Sequence, residues 1–226
     1  DRLANGATVT VSGTGILNVG TFTDTVSIFN MSAGSLNGTG TLTAGTYGLS
    51  GGTVTANLGT GTINSSGTVA LNGTAGATTV NVTAGALTLG ASSAINSATT
   101  VGVSGGSLNL GASDQIGNAA VTLTGGGTLA IAGFSDTVGA VTLTSGSITG
   151  SGGVLTGTSY AVADGSISAI LGGSGIALTK TTGGTVTLSG ANTYTGTTTV
   201  SAGTLSITGS INSSATIAVN GGLLST

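Results

Sequence analysis

"VSAGTLSI", Val200–Ile207, alternates apolar and small polar residues around one Ala-Gly step. The same frame returns as "MSAGSLN" (Met31–Asn37), "VTAGALTL" (Val82–Leu89) and "VSGGSLNL" (Val103–Leu110). Twelve glycines anchor it: Gly15, Gly34, Gly52, Gly67, Gly85, Gly106, Gly127, Gly146, Gly165, Gly184, Gly203 and Gly222. Successive anchors are mostly 18–21 residues apart, with one step of 15. Two positions after every anchor stands an aliphatic residue: Leu17, Leu36, Val54, Val69, Leu87, Leu108, Leu129, Ile148, Ile167, Val186, Leu205 and Leu224. The position between anchor and aliphatic is Ser, Thr or Ala, with Ile16 and Leu223 as exceptions.

Self-similarity at a short fixed period marks a repeat architecture. Alternation by two marks strands, because successive Cβ atoms point to opposite faces. A period near nineteen is too short for a globular domain and suits one coil of a β-solenoid, whose coils bury their aliphatics by stacking. The predicted fold is therefore all-β: a single-stranded parallel β-helix of about 12 coils, one continuous unit over residues 1–226. At about 4.8 Å per coil, twelve coils give a rod of roughly 55–60 Å. The twelve aliphatics form its predicted inward row. A second row of Met31, Val82, Val103, Leu143, Val162, Val200 and Val219 precedes the anchors, broken at Thr181. Gly127, Gly146, Gly165, Gly184, Gly203 and Gly222, spaced by nineteen, are predicted corner glycines with φ > 0. The steps of 21 predict corner insertions and the step of 15 a lost corner, so the rod is expected to be less regular before about residue 85.

Composition agrees with this plan. Of 226 residues, 45 are Gly and none is Pro, Cys or His; Lys and Arg total 2, Asp and Glu 5. Proline would remove a ladder N–H, and like charges stacked coil on coil would repel. The charged residues are Asp1, Arg2, Asp24, Asp114, Asp136, Asp164 and Lys180. Without His or Cys the usual catalytic triads and thiolate metal sites cannot be built. A net charge of −3 is the wrong sign for a nucleic-acid stripe. No apolar run approaches the roughly 18–20 residues of a membrane span. These features predict no enzyme, cofactor, metal, nucleic-acid partner or membrane span.

The remaining candidates for chemistry are few. Asp114 in "SDQIG" and Asp136 in "SDTVG" fall at corresponding places in consecutive coils. Stacked, they would approach the spacing of a glycosidase pair or share a calcium ion, but an Asx-turn at each corner explains them with less. Tyr47, Tyr160 and Tyr194 are either sugar-stacking platforms or corner packing. Threonine pairs at Thr122/Thr124, Thr142/Thr144, Thr185/Thr187 and Thr197/Thr199 invite ice binding, but they do not share one offset from their anchors. "GGSG" (172–175) lacks the helix and basic residue of a phosphate loop.

"LTKTTGGTVTLSGANTYTGTTTVSAGTLSITG", Leu178–Gly209, resembles the autotransporter-associated β-strand repeat. The matching residues include Leu178, Thr179, Lys180, Gly184, Gly190, Ala191, Asn192, Tyr194, Gly196, Val200, Gly203 and Leu205. "SDQIGNAAVTLTGGGTL" and "FSDTVGAVTL" echo a second variant, and "FTDTVSI" repeats the theme. The resemblance implies a right-handed parallel β-helix stalk of a secreted bacterial surface protein, with adhesive, matrix or structural roles. Membership would bring a membrane β-barrel for export, and no such segment is recognised in these residues.

Neither end shows a charge cluster, a proline or an amphipathic helix to blunt an open edge. Two expectations stay open. The chain is a processed or cut piece of a longer rod, or its ends dock on other copies. The expected function is a structural or adhesive extracellular solenoid that associates with itself, or with neighbouring solenoid segments. The alternative is a module binding glycans or host and abiotic surfaces, with a polysaccharide-degrading enzyme a distant third.

Overall fold

The computed structural model describes residues 2–91, 94–212 and 215–226. Twenty-six strands and no helix occupy them, and strands pair in parallel with the next coil. The chain is a β-solenoid with three sides. Side one holds strands such as Thr79–Val82, Thr100–Val103 and Ala140–Leu143; side two holds Ala86–Leu89, Ser107–Asn109 and Thr204–Ile207. Side three is sparser: Asp136–Thr137, Val154–Thr156 and Ile170–Gly172 form a separate 3-stranded sheet there.

One inward row counts the rungs. Val11, Met31, Leu49, Ser65, Val82, Val103, Leu123, Leu143, Val162, Lys180, Val200 and Val219 stack in succession on side one. Twelve rungs make about eleven full turns. A parallel row on the same side runs Phe29, Tyr47, Ile63, Val80, Val101, Val121, Val141, Tyr160, Leu178 and Thr198. Both rows are buried throughout these positions except for the last rung. No coil could bury them alone, so coil-on-coil contact is the hydrophobic core.

Side two departs from the anchor alignment at two places. Val54 stacks on Leu71, while Val69 lies on Gly52. Ile167 stacks on Leu188, while Val186 lies on Gly165. Val69 and Val186 therefore do not continue the aliphatic row from Val54 and Ile167. The true steps are 17 from Val54 to Leu71 and 21 from Ile167 to Leu188, so no coil loses a corner to a step of 15. Each slip moves the register by two residues, which keeps every side chain on its own face; a slip by one would invert them all. The Gly-x-aliphatic triplet occurs in both registers, so the anchors alone select the wrong one. A register shift between Leu49 and Gly51 leads into the first slip, and another lies between Ala130 and Ala132. Register departures thus occur on both sides of residue 85.

All twelve aliphatics point inside, Val69 and Val186 included despite their shifted register, with Leu17 and Leu224 only half-buried at the first and last rungs. The predicted corner glycines divide. Gly146, Gly165 and Gly203 have φ of 123°, 120° and 65°, where L residues are strained. Gly127, Gly184 and Gly222 do not adopt that region; Gly126 (φ 82°) and Gly221 (φ 134°) take the left-handed position in two of those coils. Gly127 is glycine for another reason: a Cβ there would run into the Val103 carbonyl oxygen below.

Candidate functional site

The three tyrosines lie in the interior. The Tyr47 hydroxyl accepts the Ala44 N–H at 2.9 Å and faces the carbonyls of Leu42 at 2.9 Å and Thr60 at 3.3 Å as donor. Tyr160 repeats the arrangement with Gly157 N–H at 2.8 Å, Leu155 O at 2.8 Å and Gly172 O at 2.7 Å. Each hydroxyl ties its own coil, three and five residues back, to the next coil. Burial pushes the Tyr47 hydroxyl up to about 12 and raises those of Tyr160 and Tyr194. Tyr194 bonds Thr198 Oγ1 at 2.7 Å, and its ring lies 6.0 Å from that of Tyr160. Their faces are enclosed, so no sugar can stack on them.

Side three carries a set of buried acceptors aimed at the coil below. Asp136 Oδ2 accepts the N–H groups of Gln115 at 2.8 Å and Ile116 at 3.0 Å. Asp24 accepts those of Arg2 and Leu3, and Asn192 Oδ1 accepts Leu171 N–H at 3.0 Å. Backbone amides left unpaired by the short side-three strands find partners this way. Asp114 does not share the arrangement. It is exposed, adopts φ 57°, and donates its own N–H to Ser135 O. The matching "SD" words therefore place one carboxylate inside and one outside. Burial raises the Asp136 carboxyl, and the Asp114 charge adds to this against the two N–H bonds. Its Oδ1 is buried without a partner. Asp24 moves the other way: its amide bonds outweigh the opposing desolvation, and its carboxyl lies below the usual range.

Lys180 is the residue composition alone conceals. It occupies the inward side-one row between Val162 and Val200 and is fully buried. Its Nζ donates to the Thr182 carbonyl at the following corner. Desolvation lowers its pKa, opposed by the Asp164 charge. The break in the second apolar row thus falls at Lys180, with Thr181 beside it. Ser65 makes the other polar rung; its Oγ is buried without a partner. Both polar rungs lie in coils where side two slips. A further signal was legible in the sequence: "LTAGTYGLSGGTV" (42–54) and "LTGTSYAVADGSI" (155–167) share Leu, Thr, Tyr, an aliphatic, Gly, a hydroxyl residue and an aliphatic at equal offsets. Each is the coil that precedes a slip.

The outer faces are hydroxyl and amide ladders. Thr128 and Ser147 hydroxyls meet at 3.0 Å, Asn81 Nδ2 donates to Asn64 Oδ1 at 2.9 Å, and Thr74 Oγ1 donates to Asn57 Oδ1 at 2.8 Å. Thr122 stacks on Thr142 on side one, whereas Thr185 and Thr187 stack on Thr204 and Ser206 on side two. The threonine pairs therefore lie on different sides and form no single array. Among the described residues no cluster of three or more His, Cys, Asp or Glu could hold a metal, and no helix is long and apolar enough to cross a membrane.

Residues 178–207 match the passenger-associated-transport-repeat family. The match covers the buried lysine, the later strand of the second slip, Thr185–Leu188, and the strand stacked on it, Thr204–Ile207. With the parallel solenoid around it, this is consistent with an autotransporter passenger-type repeat, a kind that suggests a secreted or surface-exposed protein. No curated protein and no solved structure matches the chain.

Proposed function

We propose that this chain is a structural and adhesive rod of the bacterial surface or extracellular matrix, working through length, stiffness and association with copies of itself. The observation that carries the reading is the side-one stack, twelve rungs in parallel register with a filled interior. A rod of this kind resists bending because every coil is bonded to both neighbours through backbone ladders and packed side chains. Its neutral hydroxyl exterior offers little charge repulsion to a second rod. The passenger-type repeat at 178–207 supports a place outside the cell.

The same reading makes the chain a non-enzyme. The groups most able to react are engaged in structure: the Tyr47 and Tyr160 hydroxyls and Asp136 bond backbone groups, Tyr194 bonds the Thr198 hydroxyl, and the only lysine is enclosed. Electron microscopy of the purified protein tests the assignment. Fibres with a lengthwise repeat of about 4.8 Å are expected; short monodisperse rods under all concentrations and salts would sink self-association. The alternative, a glycan- or surface-binding module, is favoured by the flat hydroxyl ladders, and selective glycan binding by single rods would establish it.

A further inference from the structure

The outer face of side one is a straight lattice, because both slips lie on side two. In strand Thr79–Val82, Val80 and Val82 point inward while Thr79 and Asn81 point outward. The column through Thr79 reads Ile28, Thr46, Thr62, Thr79 and Thr100 in one half. It continues as Ala120, Ala140, Ser159 and Ala177 in the other. The column through Asn81 runs unbroken from Asn30 to Thr199. Neither column holds a charged or aromatic residue over these coils, and neither stretch includes the first or last coil. The Asn30 amide lies across Gly48, where a Cβ would come within 2.5 Å of its Oδ1. Asn81 Nδ2 donates to Asn64 Oδ1, while Asn64 Nδ2 and Asn81 Oδ1 bond nothing else among the described residues. One half of the face thus presents threonines and amides, the other mostly alanines and hydroxyls.

We propose that side one packs face to face on side one of a second copy, with the two rods antiparallel. This rests on the reading of the chain as a self-associating rod and names the surface and the partner. A two-fold axis along the strand direction, between the Thr100 and Ala120 coils, generates the pair. Each column then faces itself in reverse order. Thr100 meets Ala120 of the second copy, Thr79 meets Ala140, and Thr62 meets Ser159, so a larger residue lies opposite a smaller one. In the other column Gly102 meets Thr122 and Asn81 meets Thr142, which gives Asn81 Oδ1 a hydroxyl donor. Rods packed parallel would face one column with the other. Thr62 would then crowd Asn64 in one half, and small residues such as Ala140 would leave the other half apart.

Spacing and area both favour a second copy as the occupant. Its coils repeat at the same interval of about 4.8 Å, so the two lattices stay in step along the whole face. Ten coils of four-residue strands, at about 3.3 Å per residue, present roughly 600 Å² per copy. The pair would bury about 1,200 Å², which reaches the range of stable specific interfaces. Side two offers no equivalent surface, because its slips step the outer columns sideways. Pairing through side one leaves sides two and three for growth into fibres.

Sedimentation velocity over a concentration series tests the pair, with circular dichroism confirming that each variant folds. The wild type should dimerise before any larger assembly forms. Thr122→Lys sets two like charges within one coil of each other at the two-fold axis, and should raise the dissociation constant at least tenfold. Thr185→Lys, also at an exposed position but on side two, should leave the dimer unchanged. Ala140→Lys should weaken the dimer, and adding Thr79→Asp should restore it at low salt. Those two positions are three coils, about 14 Å, apart within one copy and meet only in the antiparallel pair. A double variant as weak as Ala140→Lys alone overturns the antiparallel arrangement. Dimers unchanged by Thr122→Lys overturn this face and leave self-association through another. A wild type that stays monomeric at every concentration overturns both.

Discussion

The coils between Val82 and Val162 and the two slipped coils solve the same problem differently. In the regular stretch, aliphatic stacks on aliphatic along both sides: Val101 on Val121 on Val141, and Leu108 on Leu129 on Ile148. At the slips a valine rests on a glycine instead, Val69 on Gly52 and Val186 on Gly165. The accompanying features recur too. A tyrosine stands in the glycine-bearing coil, Tyr47 or Tyr160, and a polar rung in the next, Ser65 or Lys180. The two sides of a solenoid therefore hold register separately. Side one runs on without interruption while side two moves by two residues, and the corner between them absorbs the difference. The tyrosine hydroxyl, bonded to its own coil and to the next, pins the junction on the far side of that corner.

The largest expected effect tests that pin. The folded state holds the Tyr47 proton more tightly than the unfolded chain, so stability from this group is fully present below pH 10 and is lost as pH rises toward 12. A rise from 10.0 to about 12 corresponds to roughly 2.7 kcal/mol at about 1.36 kcal/mol per pH unit. Tyr160 and Tyr194 shift in the same direction. Urea unfolding followed between pH 8 and 12 should show a steep alkaline loss of stability, reduced in Tyr47→Phe. A flat profile would mean that the hydroxyls are not held at the slips as described.

A smaller effect compares packing directly. Val141 is stacked between Val121 and Tyr160, while Val186 has Gly165 on one side and Leu205 on the other. Val141→Ala should cost about 2 kcal/mol and Val186→Ala about 1 kcal/mol, since the cost of a deleted methyl grows with the cavity it leaves. Equal losses in urea midpoints would show that the glycine-backed coils pack as tightly as the regular ones.

How far the sequence could be followed depends on the same distinction. Within a strand, alternation reveals which face a residue occupies, and an even slip preserves it. Coil number, the all-β class and the inward direction of Leu36 or Leu108 were legible for that reason. Register was legible only where one alignment of glycine and aliphatic existed. Gly52-x-Val54 and Gly67-x-Val69 present the same triplet, and only the side-two pairing reveals that Val69 belongs opposite Gly52. The buried ends of polar side chains were less legible still. Lys180 reads as a surface lysine until its rung is counted from Val162, and Asp114 and Asp136 share one local motif but sit outside and inside because Asp114 turns through a left-handed conformation.

The smallest effect asks whether a polar rung is required by the slip or tolerated there. Ser65 lies between Leu49 and Val82 in a row that is apolar apart from it and Lys180, and its hydroxyl is buried without a partner. An unmet hydroxyl costs about 1–3 kcal/mol of desolvation, and alanine removes it while leaving almost the same volume. Ser65→Ala should therefore stabilise the rod by about 1 kcal/mol, seen as a higher urea midpoint with an unchanged slope. Lys180 differs in kind, because its ammonium serves the Thr182 carbonyl, and alanine there would remove a partner as well as a charge. If Ser65→Ala instead lowers the midpoint, the hydroxyl has a use in the first slip, and the two polar rungs are one device. If it raises the midpoint, the slips are alike in backbone register alone, and the serine persists because a coil that bends by two residues leaves room for it.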